Sequence, residues 1–530
     1  MEKSTQAGNS AFRQVKRIPT LGSDDQIKIS IKYWYENMNN KSVQCLCFRL
    51  KTERPFFLSG VDFKMKKVSK IMLCTLGPIL VCVGLLTISS CIPRSFIQKN
   101  SKKSAEYFAE REAFPILIGN YVNSMQDNYS DTVLCDIIYC IDTGHPFESA
   151  IRARFSQGEN ENASDGYLNA VRVNDEPDLN QEYGRYWHGT MVVLRPLLIF
   201  MPIWAIRILF GGTALIIQIA LIIMLKKRGH PAFAVCYLLA FILMEPWMFF
   251  TSLEYGTAFL TASVAEILVM LKRSRWDETR LMSFFTSVGV VTCFVDFLTT
   301  ETLTFTLPML MIFVEGLGGR LITDKRTTGK KSSAGSSFGK GMTNEGIVSI
   351  LKNGSCWFFG YAMMFVTKIV LLFIVAGNDT TREALAEGLF RLGGEVHSAN
   401  VDIATVVDVG GRLSGAIWHN LACLYPTEAG QMNAVSAWIP TIFILILGFT
   451  AVYLLQDGID HSFFVPTGLM ALIPYLRFLV LSNHSFIHFF ITYRAQMVTV
   501  AVFLFFVYEN ALKHFKEPIK LYFLRRRKMK

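Results

Sequence analysis

The apolar positions of this chain gather into long unbroken runs separated by polar intervals of very unequal length. The runs are Ile71–Ile92, Ile206–Leu225, Pro231–Phe250, Gly256–Leu271, Leu281–Val295, Leu303–Val314, Cys356–Ala376, Trp438–Leu455, Val465–Leu481 and Met497–Tyr508. A helix needs about 20 apolar residues to cross a hydrocarbon core of about 30 Å. Lipid offers no partner to a free backbone N–H or C=O, so such runs cross as helices. The shortest, Leu303–Val314, also suits a re-entrant segment. The pattern predicts an all-α polytopic membrane protein with about ten transmembrane helices and a long outer loop after the first.

Composition agrees: 51% of residues are hydrophobic and only 18% charged, against about 25% charged in an ordinary soluble domain. Charge also sets the expected orientation, because cytoplasmic loops collect Lys and Arg. Residues 1–70 hold 14 basic and 6 acidic residues, 317–349 hold 6 and 2, and 510–530 hold 8 and 1. The intervening intervals are acidic, with 15 Asp/Glu against 9 Lys/Arg in 92–190 and 7 against 3 in 377–434. With ten alternating helices, the basic segments share one side, giving N-in and C-in in a cell membrane. The segment Gln456–Ser462 opposes the trend, but acidic residues weigh little in this rule. The net charge of +11 is thereby the sum of inside edges facing anionic lipid. It calls for no nucleic acid.

Three parts follow: an arm 1–64, a multi-span part 65–510 with outer loops 93–190 and 377–434 and an inner linker 317–349, and a basic cytoplasmic tail 511–530. Met65-Lys66-Lys67 opens a basic, apolar series like the start of a bacterial membrane protein, so the arm reads as disordered or as lying upstream of the natural start. The tract 325–341 is low in complexity and reads as a flexible linker. Cys135, Cys140 and Cys423 fall on the outer side, where a disulfide is permitted, but no spacing demands one. No internal repeat is visible.

Candidate chemistry concentrates in the outer loops. Ser104–Tyr121 reads as an amphipathic helix. Asn128–Ala150 carries Asp131, Asp136 and Asp142 with His145 nearby. Asp131 and Asp136 are five apart, hence not on one helical face. Helix caps and surface charge are the plain explanation of these acids. The loop closes with YGRYWHGTMVVLRPL, crowding Arg185, Tyr186, Trp187 and His188 before an apolar stretch. Trp and Tyr favour the headgroup level. Arg195 and Arg207 flank a segment expected to lie flat on the membrane, where arginine grips phosphate well. Ser482–Arg494 brings His484 and His488 at i, i+4, with Tyr493 and Arg494 at its end. A zinc helix of the HExxH kind would need a Glu between the histidines, and none is there. Asp296 and Glu301 form a further outer cluster, DFLTTET.

The basic start, first span, long acidic outer loop with an early Asp, membrane-hugging helix and many later spans resemble the GT-C class of membrane glycosyltransferases over residues 65–510. The segments SDTVLCDIIY, RYWHG with LRP, and NHSFIHFFITYR resemble uncharacterised multi-span proteins of Gram-positive bacteria. The resemblance implies transfer of a sugar from a polyprenyl-phosphate-linked donor on the outer face of the cytoplasmic membrane. It also implies an acid of the first outer loop, here Asp131 or Asp136, as catalytic base or partner of a divalent metal. The loop lacks the adjacent acidic pair of the best-known members. Arg185, His188, Arg195, His484, His488, Tyr493 and Arg494 are the expected substrate-binding residues, in one cavity with the acid facing Arg494. Two other classes fit the composition. A transporter or lipid flippase would use the intramembrane Glu266, Lys368 and Arg477 as its path, and a non-catalytic envelope-assembly protein would need none of them.

Overall fold

The computed structural model describes residues 56–158, 162–173, 177–327, 335–393, 409–454 and 460–510. The expected arm 1–64 (all but its last residues), residues 328–334 of the linker and the tail lie outside them; the rest of the linker expected at 317–349 is helical. The chain forms two compact units, 1–68 and 69–530. The first is described only at 56–68, the start of a helix; everything below concerns the second. Among the described residues the structure is helical, with no pairing beyond isolated β-bridges.

Seven helices are long and apolar enough to cross a membrane. They lie in α1 (Phe56–Ser90), α7 (Ile203–Lys227), α9 (Leu253–Lys272), α12 (Gly335–Gly393), α14 (Ala434–Leu454), the pair α15 (His461–Ala471) and α16 (Ile473–Val480), and α18 (Phe489–Asn510). Pro231–Leu243 (α8) and Leu303–Gly316, the start of α11 (Leu303–Thr327), are apolar but shorter. The expected run to Phe250 stops at Leu243, because Pro246 has no N–H to continue a helix and Glu245 turns into the left-handed region at φ 52°. The run Leu281–Val295 forms α10 (Glu278–Val295), whose first turn is capped by Asp277. α10 packs along α12 with backbones in near contact. A Cβ on Gly289 would lie 1.9 Å from the Trp357 carbonyl, and one on Gly360 2.0 Å from that of Thr286, so only small residues permit this approach.

Residues 93–190 fold as a compact region, not a loop. It contains α2 (Arg94–Ala109), α3 (Asn128–Cys140), α4 (Pro146–Arg152) and α5 (Ala163–Arg172) around Ile97, Phe108, Ile138 and Tyr167. The helix expected over Ser104–Tyr121 instead begins after Pro93 and ends at Ala109. Pro115 and the left-handed Gly119 oppose its continuation. The segment expected to lie flat divides into a short α6 (Met191–Leu197) and the start of α7. The outer loop expected over 377–434 is partly helical among the described residues. α12 breaks at Gly377 (φ 81°) and runs on as a helical arm to Gly393, and α13 (Val409–Ala422) packs on α17 (Ser482–Ile487).

Candidate functional site

Asp127 caps α3 by accepting the Ser130 N–H at 2.8 Å, which fixes the direction in which α3 presents its acids. Both are fully buried. Asp131 meets Arg207 of α7 at 2.7 Å and accepts the Leu253 N–H, the first of α9, at 3.1 Å. Asp136 faces elsewhere, accepting the Ser156 N–H at 3.1 Å with Cys140 Sγ beside it. Burial pushes its carboxyl up to about 7.

A cleft of about 270 Å³ opens between three other pieces: the RYWHG segment, the turn after α10, and the arm of α12 beyond Gly377. Its charged lining residues are Arg185, Asp296 and Arg391, and its apolar wall includes Phe365, Leu385 and Leu389. Each piece is held by identifiable bonds. Arg185 stacks on Tyr183 at 4.2 Å and meets Glu387 of the arm at 3.7 Å. The arm's last carbonyls, which a helix end leaves unpaired, accept from Asn483 (Phe390 O, 2.7 Å) and Ser482 (Leu392 O, 3.1 Å). Arg391 donates to His488 Nε2 at 3.2 Å. A guanidinium only donates, so the imidazole there is neutral; burial beside Arg391 pushes it down to about 3. His484 lies against His488, ring to ring at 4.6 Å.

Asp296 accepts both the N–H and the hydroxyl of Thr299. That fixes its carboxylate at the cleft edge and leaves lone pairs free. Burial, with Glu301 adding its charge, pushes it up to about 7. The turn is strained: Leu298 sits at φ 65° and His188, stacked on the adjoining Phe297, at φ 51°. Non-glycine residues in this region cost about 1–3 kcal/mol each and collect at functional sites. Arg477 braces the turn, bonding Glu301 at 2.9 Å, the carbonyls of Leu298 and Thr299, and Ser485. Among the described residues, Nε of Arg185, Nε of Arg391 and Nδ1 of His484 are buried without a partner.

Of the expected substrate-binding residues the structure sets Arg185 in the cleft lining, His488 and His484 behind Arg391 and His188 against Phe297 of the turn, and it places the others elsewhere. Arg195 is buried under the carbonyls of Ile92 and Ile138. Arg494 donates to the carbonyls of Met244, Phe490 and Asn123 and packs on Tyr255 and Tyr493. Neither Asp131 nor Asp136 faces it. Glu266 is buried against the Tyr237 hydroxyl at 3.0 Å, and Lys368 against the Ile151 carbonyl at 2.6 Å. With Arg477 engaged as a brace, the residues of the transporter reading form packed internal contacts. Arg391 and the cleft role of Asp296 were not anticipated. Arg391 belongs to REALAEGLFRLGG, whose Leu385, Leu389 and Leu392 share one helical face and whose paired glycines end it, a signal hidden by its place beyond an apolar run.

Among the described residues no three His, Cys, Asp or Glu side chains gather as a metal site. A divalent cation therefore finds no ready oxygen cage there. Compared with protein-family models, curated proteins and solved structures, the chain matches none.

Proposed function

We propose that the cleft holds the phosphate-bearing head of a polyprenyl-phosphate-linked sugar and that the protein transfers the sugar at the outer face of a membrane, as a GT-C-like glycosyltransferase. The observation that carries this reading is the convergence of Arg185, Arg391 and a carboxylate, Asp296, against a wall of exposed leucines. Paired guanidiniums suit phosphate oxygens, and the apolar wall suits a prenyl chain. In the step, an acceptor hydroxyl attacks the anomeric carbon and its proton passes to Asp296. The bond from that carbon to the phosphate oxygen breaks, and its electron pair leaves on the polyprenyl phosphate. Arg185 and Arg391 offset the charge that develops.

In this reading α8, α10 and α11 also cross, giving ten spans with both termini inside. A cysteine placed near Gly158 then labels from outside in intact cells and one placed near Ser336 does not; the reverse pattern overturns the orientation. The functional test is release of polyprenyl phosphate from a polyprenyl-phosphate-linked glucose by the purified chain in phosphatidylcholine vesicles. Arg391→Gln with Arg185→Gln should abolish binding of the donor. Unchanged binding in the double variant ends the reading.

A further inference from the structure

A second groove, also about 270 Å³, runs down between α6, α7 and α9. Its walls are Leu194, Ile206, Leu209, Phe210 and Leu260, with four threonines, Thr190, Thr213, Thr257 and Thr261, among them. Three of those hydroxyls are already spent. Thr213 donates to Leu209 O at 2.7 Å, Thr257 to Leu253 O at 2.8 Å and Thr261 to Thr257 O at 3.0 Å. Along α7 and α9 the groove therefore asks no hydrogen bond of an occupant, which fits hydrocarbon; the Thr190 hydroxyl, buried without a partner, lies at the end beside Gly189. From Ile206 to Thr213 it spans roughly 10 Å at the helical rise of about 1.5 Å per residue. Its rim continues into Val193 and Ile208, both more than half exposed on apolar helices, so lipid reaches it sideways.

The two grooves share one thin wall. Trp187 lines the first and Gly189 the second; Cys293 and Asp296 line the first and Val295 the second. The wall's two segments are joined by the Gly189 N–H donating to Phe294 O at 3.0 Å. A Cβ on Gly189 would lie 2.3 Å from that oxygen, so no larger residue permits the join. Trp187 and Gly189 are two positions apart, a contour of about 7 Å, and Val295 and Asp296 are adjacent.

We infer that the second groove holds the hydrocarbon chain of a second lipid, whose head meets the donor's head across this wall, so that the acceptor of the sugar is itself lipid-borne. The inference rests on the donor reading of the Arg185–Arg391 cleft. Occupancy is tested on the full chain in phosphatidylcholine nanodiscs with a diazirine-tailed dioleoylglycerol, mapping the cross-linked peptides with and without polyprenyl-phosphate-linked glucose. Labelling of 206–213 and 253–261 should exceed that of the lipid-facing Ile216–Ile219 stretch at least about 5-fold. It should be displaced by unlabelled dioleoylglycerol and persist when the donor is added. Leu260→Trp, or Thr261→Phe if that variant is poorly made, should remove it. Labelling no stronger than at Ile216–Ile219, or displacement by the donor, overturns the second site. The donor reading is judged separately: added donor should suppress labelling at Leu385–Leu389, and failure to do so sinks that reading whatever the second groove shows.

Discussion

Asp131 with Arg207, and Asp296 with Arg185 and Arg391, set the same residue types together and do opposite things. Asp131 and Arg207 are both essentially inaccessible. Arg207 also donates to Asn128 Oδ1 at 3.0 Å and Asp127 O at 3.4 Å, and burial closes the pair to any third group. Asp296, by contrast, edges a cleft with Arg185 and Arg391, and its bonds run to Thr299 instead of to a guanidinium. The first arrangement ties α3, α7 and α9 together. The second leaves a carboxylate and two cations facing the same space. What distinguishes brace from candidate site is which bonds remain unmade, not which residues are present.

That contrast breaks most sharply in activity. Asp296→Asn keeps shape and hydrogen bonding but removes the base, and should lower sugar transfer by about 10²–10⁴-fold, with thermal unfolding little changed. If Asp131→Asn does this instead, with stability preserved, the roles of the two sites are reversed. Next in size is the brace. Arg207→Ala leaves a buried carboxylate uncompensated and should cost about 3–5 kcal/mol, read as a lowered midpoint of unfolding in detergent. Replacing both partners, Asp131→Leu with Arg207→Met, should recover most of that loss.

A third test uses pH. Asp296 is pushed up to about 7 by burial, so a base there works only as pH rises through about 7, and transfer should climb over that interval. A carboxyl with a raised folded-state pKa contributes its stability below the ordinary carboxylate range and loses it as pH rises through the folded value. That loss runs from about pH 4 to about pH 7 and levels off as activity completes its rise. Asp296→Asn should flatten the activity curve and lessen the fall in stability, part of which belongs to Asp136, also pushed up to about 7. A transfer rate independent of pH between 6 and 8 rules this out. The smallest effect belongs to Glu387, whose pairing with Arg185 is half exposed on its own side. Glu387→Gln should change stability by less than about 1 kcal/mol, measured by the same unfolding midpoint.

Much of the helical frame was legible because a crossing helix announces itself locally, as an apolar run of sufficient length. Where local chemistry interrupts a run, at Pro246 or between Met470 and Pro474, the ends were missed. The histidines and Arg185 were legible as a crowd of unusual residues in the expected outer loops. Their grouping with Asp296 and Arg391 was not. Those contacts join Arg185 to Glu387 and Arg391 to His488 across long stretches of chain that no periodicity records. Asp131 illustrates the converse: its residue type invited a catalytic role, while its partner Arg207, 76 positions later, makes it a brace.

That brace has a timetable. Asp131 depends on the backbone of Leu253, 122 residues downstream. At about 5–20 residues per second, synthesis takes roughly 6–24 s to supply it. Through that interval α3 waits with an unsatisfied acid while the first helices are already placed. The region 93–190 therefore completes its folding only after α7 and the start of α9 have been made. A chain cut short at 240 should leave it open to protease, and one extended to 275 should close it.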